Sequence, residues 1–297
     1  MNTSKAVQEV EQMAPQLAAL SRELWEHPEV AFTEYYASRR LMQVLSDEGF
    51  SIQNPVAGLV TGFVARWGHG HPCIAILAEF DALPGFSQKT QTTEEPEVPG
   101  GAGHACGHNL MGAAHTGAAI AVKRELEARG MEGTVVMYGC PAEEVLTGKV
   151  FMARAGLFDG CDCAINFHPD SVNGVDMHVL AGIDNIKFNF HGTISHAAAR
   201  PFDGRGASDA AELMNVGANY LREHIPDGVR IHYVTTDGGK APNIVANFAQ
   251  TWYYIRARER SAVDEVYKRL VDVAKGAALM TGTTVEVDFQ GGCYPNV

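Results

Sequence analysis

Apolar residues recur along the first stretch of the chain at Val7, Val10, Met13, Leu17, Leu20 and Leu24. Steps of three and four residues mark one face of an amphipathic helix, predicted to end near Trp25. The proline of His27-Pro28 disfavours helical geometry before it and sets the stop. A second amphipathic helix is expected over residues 33–48, closed by Gly49. Residues 59–67 and 73–78 read as strands, and the second (CIAILA) is apolar throughout, as in a sheet covered on both faces. Residues 86–101 are rich in Thr, Glu and Pro and read as a surface loop. An Ala-rich helix follows over 110–129, then a buried strand over 134–139 and a short one over 163–167. Strands alternating with helices predict α/β layers with a largely parallel sheet.

From about Ile183 the rhythm changes. Strand patterns over 186–190, 229–235, 248–256 and 283–289 are interleaved with helical patterns over 206–224 and 261–279. The order β-α-β-β-α-β is that of a split βαβ sandwich. A boundary is therefore placed near Gly182, giving one domain over 1–182 and a second over 183–290. A length of 297 residues fits about two domains.

Composition narrows the classes of function. Hydrophobic residues make up 46% and charged residues 20%, as in a globular protein. A net charge of −12 argues against nucleic acid as a partner, because phosphate binding needs clustered Lys and Arg. The acidic, amphipathic N-terminus is unlike a secretory signal, and no apolar run is long enough to cross a bilayer. Six cysteines are too sparse for a disulfide scaffold, so a reduced, cytoplasmic chain with no membrane association is expected.

Four stretches carry chemistry, each read as following a buried strand, so that they converge on one sheet edge. In Gly103-His104-Ala105-Cys106-Gly107-His108-Asn109, a thiolate and an imidazole two residues apart can chelate metal. The same residues also read as a glycine-rich turn with a buried Cys. Cys140-Pro141-Ala142-Glu143-Glu144 places two carboxylates side by side, costly unless a cation offsets them; it also reads as a solvated acidic turn. Asn166-Phe167-His168-Pro169-Asp170 offers a histidine that is a ligand or structural, and Glu79-Phe80-Asp81-Ala82-Leu83-Pro84 offers a further acidic pair.

In their order, the segments EFDALP, GHACGHN, PAEE, FHP and SHAA (195–198) resemble the family of carboxypeptidase G, aminoacylase and the indole-acetyl-amino-acid hydrolases. The GHN ending, the YGCPAEE stretch and the long loop before GHACGHN are most similar to its p-aminobenzoyl-glutamate-hydrolase branch. The resemblance implies a metal-dependent amidohydrolase acting on N-acyl or N-aroyl amino acids, such as p-aminobenzoyl-glutamate, or on related dipeptides. It implies a two-metal catalytic domain holding Zn or Mn, with an inserted lid that forms a homodimer, and leaves room for a second, different partner chain. On this basis Cys106, His108, Glu144 and His168 correspond to metal ligands, Glu143 to the general base, and Glu79 and Asp81 to residues that orient ligands. His196 corresponds to a residue that stabilises the oxyanion across the dimer, and Asn243 and Arg256 to holders of the substrate carboxylate. Asn243 also reads as a turn residue and Arg256 as a solvated strand charge. His69, His71, His115 and His191 match no role and read as structural or surface. Where the family often has Asp, this chain has Asn109.

Family members continue past the lid into more of the catalytic domain, with a last ligand histidine. Residues 291–297 correspond to the start of that return, so the resemblance implies a C-terminally truncated chain with an incomplete catalytic domain. Two other readings are a truncated, catalytically impaired homologue that dimerises and binds metal weakly, and a cysteine hydrolase using Cys106.

Overall fold

A computed structural model of the chain describes residues 4–175 and 180–294. Two compact units divide it, the first ending at Gly174 and the second beginning at Val175. Residues 295–297, the last of the segment that corresponds to a return, lie outside the described residues. Among the described residues, no helix is long and apolar enough to cross a membrane.

The first unit runs α1 (Lys5–Glu26), α2 (Tyr35–Asp47), β1 (Ser51–Gln53), β2 (Phe63–His69), β3 (Cys73–Glu79), α3 (His108–Arg129), β4 (Gly133–Cys140), α4 (Gly148–Arg154) and β5 (Cys163–Ile165). The apolar stripe of α1 delivers Met13, Leu20 and Leu24 to a core that also holds Leu41 and Leu45 of α2, Phe63, Ile76 and Ile120. Every residue of β4 is buried, in keeping with its unbroken apolar run.

The strand order is β1-β2-β4-β3-β5. The sheet is mixed rather than largely parallel: β4/β3 and β3/β5 are parallel, whereas β1/β2 and β2/β4 are antiparallel. The reason is chain length. Residues 70–72 alone connect β2 to β3, and a parallel return needs a crossover of about a dozen residues. Only the longer excursions through α3 and α4 carry the chain back for parallel strands. A second correction concerns β5, whose apolar sequence predicts burial: all three of its residues are exposed. It lies at the edge of the sheet, and an apolar sequence cannot tell an edge position from a central one.

The second unit contains β6 (Gly182–His191), β7 (Ser195–His196), α5 (Ala207–Leu221), β8 (Arg230–Asp237), β9 (Ile244–Val245), β10 (Phe248–Ala257), α6 (Arg260–Thr281) and β11 (Thr284–Cys293). Four long strands form an antiparallel sheet in the order β11-β6-β10-β8, and β7 pairs with β9 as a separate ribbon. Along β10, Ala249, Thr251, Tyr253 and Ile255 are buried, while Trp252, Tyr254 and Arg256 on the other face are more open. The buried face shares a core with Phe188 and Phe190 of β6, Met214 of α5 and Leu270 of α6.

Among the described residues of this unit, one charged side chain is buried. Asp184 is 1% exposed and receives both terminal nitrogens of Arg260, at 2.7 and 2.9 Å. Removing the cation would strand a desolvated carboxylate. Arg260→Ala is expected to destabilise the chain by about 3–5 kcal/mol in urea denaturation. Lys275→Ala, which removes only an exposed pair with Asp272, should cost less than about 1 kcal/mol.

Candidate metal centre

Because β4, β3 and β5 are parallel, their carboxyl ends lie on one edge of the sheet. Glu79 ends β3 and Asp81 follows it, Glu143 and Glu144 follow β4, and His168 follows β5. Cys106 and His108 reach this edge by a route that departs from the expectation. They do not follow a strand but occupy the turn into α3, where Gly107 (φ +82°) supplies the left-handed backbone. The 86–101 loop is pinched at its base by mutual hydrogen bonds between Leu83 and Gly103, both 3.0 Å, which bring GHACGHN beside EFDALP. A Cβ at Gly103 would stand 1.9 Å from the Phe86 carbonyl, so only glycine fits.

His108 is the centre of the cluster and is fully buried. Its Nδ1 lies 3.0 Å from both the Asp81 carbonyl and Asp81 Oδ1. Both are acceptors, so Nδ1 carries the ring proton. In the neutral ring Nε2 is then a lone pair, and it faces Glu79 Oε2 at 3.2 Å, Glu143 Oε2 at 3.8 Å and Glu144 Oε1 at 4.0 Å. Neither His108 Nε2 nor Glu144 Oε1, both buried, has a hydrogen-bond partner. Lone pairs converging in this way need a proton or a cation among them. Cys106 Sγ is 3.2 Å from His168 Nε2, and Cys106, His108 and His168 present donor atoms within 4.8 Å of one another, as do Glu79, His108 and Glu143. The mixture of thiolate, imidazole and carboxylate fits a borderline divalent metal.

The electrostatics agree with that fit. Burial, reinforced by Glu144 and Glu143, pushes the Cys106 thiol up to about 12. Burial also raises Glu143 and Glu144 above the usual carboxylate range, although Lys149 and His108 respectively oppose it. Burial disfavours the His108 imidazolium, yet Asp81 and Glu79 outweigh it and hold its pKa above the ordinary value. A divalent cation would reverse the sign of the field at all four groups.

Several supporting residues escape a reading of the sequence. Lys149, on α4, pairs with Glu79 Oε1 and offsets one carboxylate. Glu34 is buried; its Oε1 accepts from Ala142 N at 2.8 Å and its Oε2 from Thr61 Oγ1 at 2.8 Å. It thereby fixes the turn, with Ala142 at φ +55°, from which Glu143 and Glu144 project. Asp81 Oδ2 accepts from Glu144 N at 3.0 Å. His115 is structural: its Nδ1 bonds Met111 O at 2.9 Å and its Nε2 accepts from Phe167 N at 3.3 Å, steadying the residue before His168. No motif announces Lys149 or Glu34, since Lys149 meets Glu79 across 70 positions of sequence and Glu34 meets Ala142 across 108. Asn109 turns its amide to Ser21 of α1, at 3.2 Å to the carbonyl and 3.1 Å to the hydroxyl.

Within the second unit, His196 and Asn243 are neighbours. His196 pairs with Ile244 across the β7–β9 ribbon, and Asn243 O accepts from Ala197 N at 3.0 Å. The exposed His196 accepts at Nδ1 from Ala199 N, 3.1 Å away. Arg256 is elsewhere, at the opposite end of β10, over the Tyr254 ring at 5.7 Å. The ribbon joins the sheet at the His191–Phe248 end, so Arg256 is about 27 Å of strand away.

An α/β unit with metal-type donors gathered at the carboxyl edge of its parallel strands has the form of a metal-site domain. The chain belongs to peptidase family M20/M25/M40, whose model matches residues 75–295. It is 44% identical over 277 residues to the B-type chain of p-aminobenzoyl-glutamate hydrolase from Escherichia coli K12, covering 92% of this chain and 57% of that protein. The chain thus spans a little over half the length of that relative. Its fold resembles an aminobenzoyl-glutamate utilization protein from Klebsiella pneumoniae, with TM-score 0.75, 20% identity, and 99% of this chain and 79% of that one covered. It also resembles a dinuclear metal binding peptidase of Bacillus subtilis, with TM-score 0.63, 25% identity and coverage of 94% and 74%.

The role of Glu34 is open to test. Glu34→Ala leaves the buried Ala142 N–H without its acceptor and should cost about 1–3 kcal/mol in urea denaturation. Glu34→Gln retains one oxygen and should cost less.

Proposed function

We propose that the chain serves metal-dependent hydrolysis of the amide bond of N-acyl or N-aroyl amino acids, with p-aminobenzoyl-glutamate as the leading candidate substrate. The observation that carries this reading is the buried, partnerless His108 Nε2 facing the carboxylates that end two parallel strands. Cys106, His108, Glu144 and His168 would hold divalent metal, Zn or Mn, with two ions per complete site. When bound, such ions polarise a scissile carbonyl and acidify water.

The chain's own residues supply the proton handling. Glu143 is half-buried beside the cluster and, among the described residues, makes no ion pair as close as those of Glu79. It would take the proton of the attacking water and return it to the leaving nitrogen. Asp81 would hold His108 in the tautomer that leaves Nε2 free, and Lys149 would hold Glu79 in place. Against the cysteine-hydrolase reading, burial first and then the neighbouring carboxylates favour the protonated thiol of Cys106, the reverse of what a nucleophile needs.

In this reading residues 1–182 form the catalytic domain, and 183–290 a lid that dimerises. His196 would stabilise the oxyanion, and Asn243 and Arg256 would hold the substrate's carboxylate. A small substrate cannot bridge the length of β10, which supports His196 and Arg256 of one copy serving different sites. The E. coli relative is one of the chains of a hydrolase named for more than one, which supports a second, different partner chain here as well.

Two variants separate base from ligand. Glu143→Gln should retain metal, measured by elemental analysis after dialysis, while hydrolysis of p-aminobenzoyl-glutamate falls by about 100-fold or more. Glu144→Gln should lose both metal and activity. Equal loss of metal in the two would show that the roles are wrongly divided.

The shared site predicts complementation. His196→Ala and Glu143→Gln chains, each nearly inactive, should recover up to about half of the unsubstituted dimer's activity per mixed dimer, because one site of the pair inherits neither change. Verified mixed dimers without recovery would return His196 to its own chain's site.

A further inference from the structure

A second cluster of reactive side chains lies apart from the carboxylate edge, at the opposite end of β3. Cys73 opens that strand, and Cys161 lies in the turn leading to β5. Their sulfurs are 3.7 Å apart, about 1.7 Å more than a disulfide bond. The two backbones are held side by side. Asp162 N donates to Cys73 O at 2.8 Å, and Cys73 N donates to Asp162 Oδ2 at 2.6 Å. His71 Nδ1 meets the same carboxylate oxygen at 2.7 Å. One strand step further on, Ile74 and Cys163 are register partners in the parallel β3/β5 pair. A cross-strand disulfide needs backbones this close and sulfurs already in contact. Neither cysteine belongs to a group of donors that could hold a metal ion among the described residues.

We propose that Cys73 and Cys161 form an oxidation site, closed to an intramolecular disulfide by a small disulfide of the glutathione class. Cys161 is half-buried and Cys73 buried, so Cys161 is the point of entry. Its thiolate attacks one sulfur of the oxidant, forming a mixed disulfide and expelling one small thiolate. The Cys73 thiolate then attacks the Cys161 sulfur, breaks the mixed disulfide and expels the second small thiolate. The two protons shed by the cysteines are taken up by the two expelled thiolates. Two electrons pass from the protein to the oxidant, which leaves as two thiols. Burial, followed by contact with Cys161, raises the Cys73 thiol pKa.

The bond would tie β3 to an exposed edge strand three residues long, the one that leads into His168. Nothing else covalent holds that segment, as all six cysteines are free thiols. The site stands independently of the proposed hydrolysis, because none of its atoms take part in it.

The test incubates the purified full chain with oxidised glutathione and maps peptides without reduction. A peptide linking Cys73 to Cys161 is expected, with free thiols under denaturing conditions falling by two. Cys163→Ser should still form the link, and Cys161→Ser should not. Hydrogen exchange at the amides of residues 163–165 should slow in the oxidised form. Because Cys73 is in the core and its replacement could unfold the unit, the half-buried Cys161 carries the test. Glutathione retained on Cys161 with no linked peptide, or a link from Cys161 to Cys163 instead, would overturn the proposal.

Discussion

Acidic side chains gathered at one sheet edge repel one another, and that repulsion organises the first unit. Two unit charges 4 Å apart interact by roughly 4 kcal/mol at the effective dielectric of a protein surface. Glu79, Asp81, Glu143 and Glu144 all emerge here because β3 and β4 run parallel and end together. The structure offsets part of this. Lys149 takes one oxygen of Glu79, and Asp81 is occupied by His108 Nδ1 and Glu144 N. What remains is Glu143, Glu144 and the second oxygen of Glu79 around a histidine nitrogen that carries no proton in the neutral ring. Protonation would relieve the strain by discharging the groups, and burial first, with the neighbouring carboxylates adding to it, raises the pKa values of Glu143 and Glu144 in that direction. A divalent cation relieves it while keeping every donor charged, which is the state hydrolytic chemistry requires.

The surrounding fold holds these groups where they would not settle by themselves. Glu34 reaches from the start of α2 to the Ala142 amide, so the helix that packs on the core also sets the turn carrying both glutamates. The Leu83–Gly103 bridge closes the long loop at its neck, just before Cys106 and His108. His115, two turns along α3 from His108, uses both ring nitrogens on backbone groups and steadies the approach to His168. Contacts one step back from the cluster thus carry the positional information, which leaves the cluster free for chemistry.

Much of the candidate site is legible in the sequence because its donors are local in it. Cys106 and His108 are two apart, Glu143 and Glu144 adjacent, and all sit beside apolar runs that announce their strands or helix. The long helices and the four long strands of the second unit are legible for the same reason, since 3.6- and 2-residue periods repeat over many positions. Strand direction is not legible from periodicity. An apolar run such as 63–65 reads the same whether its neighbour runs with or against it, and only the three-residue link to β3 betrays the reversal. The exposure of β5 is hidden for a related reason, because apolar composition does not distinguish an edge strand from a central one. Lys149, Glu34 and the Cys73–Cys161 contact leave no trace in the sequence, since tertiary folding alone brings them to their partners.

The second unit carries a constraint of its own. β10 is paired along its length to β6 on one side and β8 on the other, so the strand cannot shorten or fold back. Its two ends present different chemistry: a hydrogen-bonding ribbon with His196 and Asn243 at one, a guanidinium stacked on Tyr254 at the other. An acyl amino acid spans far less than the roughly 27 Å between them. If both ends act on substrate, no rearrangement inside the sheet can bring them to the same molecule, and the two must serve separate molecules. Two copies related by a two-fold axis satisfy this directly, because each copy then offers one end of its strand to its own substrate and the other end to its partner's. On the proposed chemistry, a dimer is what would let both ends of a strand of this length act on substrate.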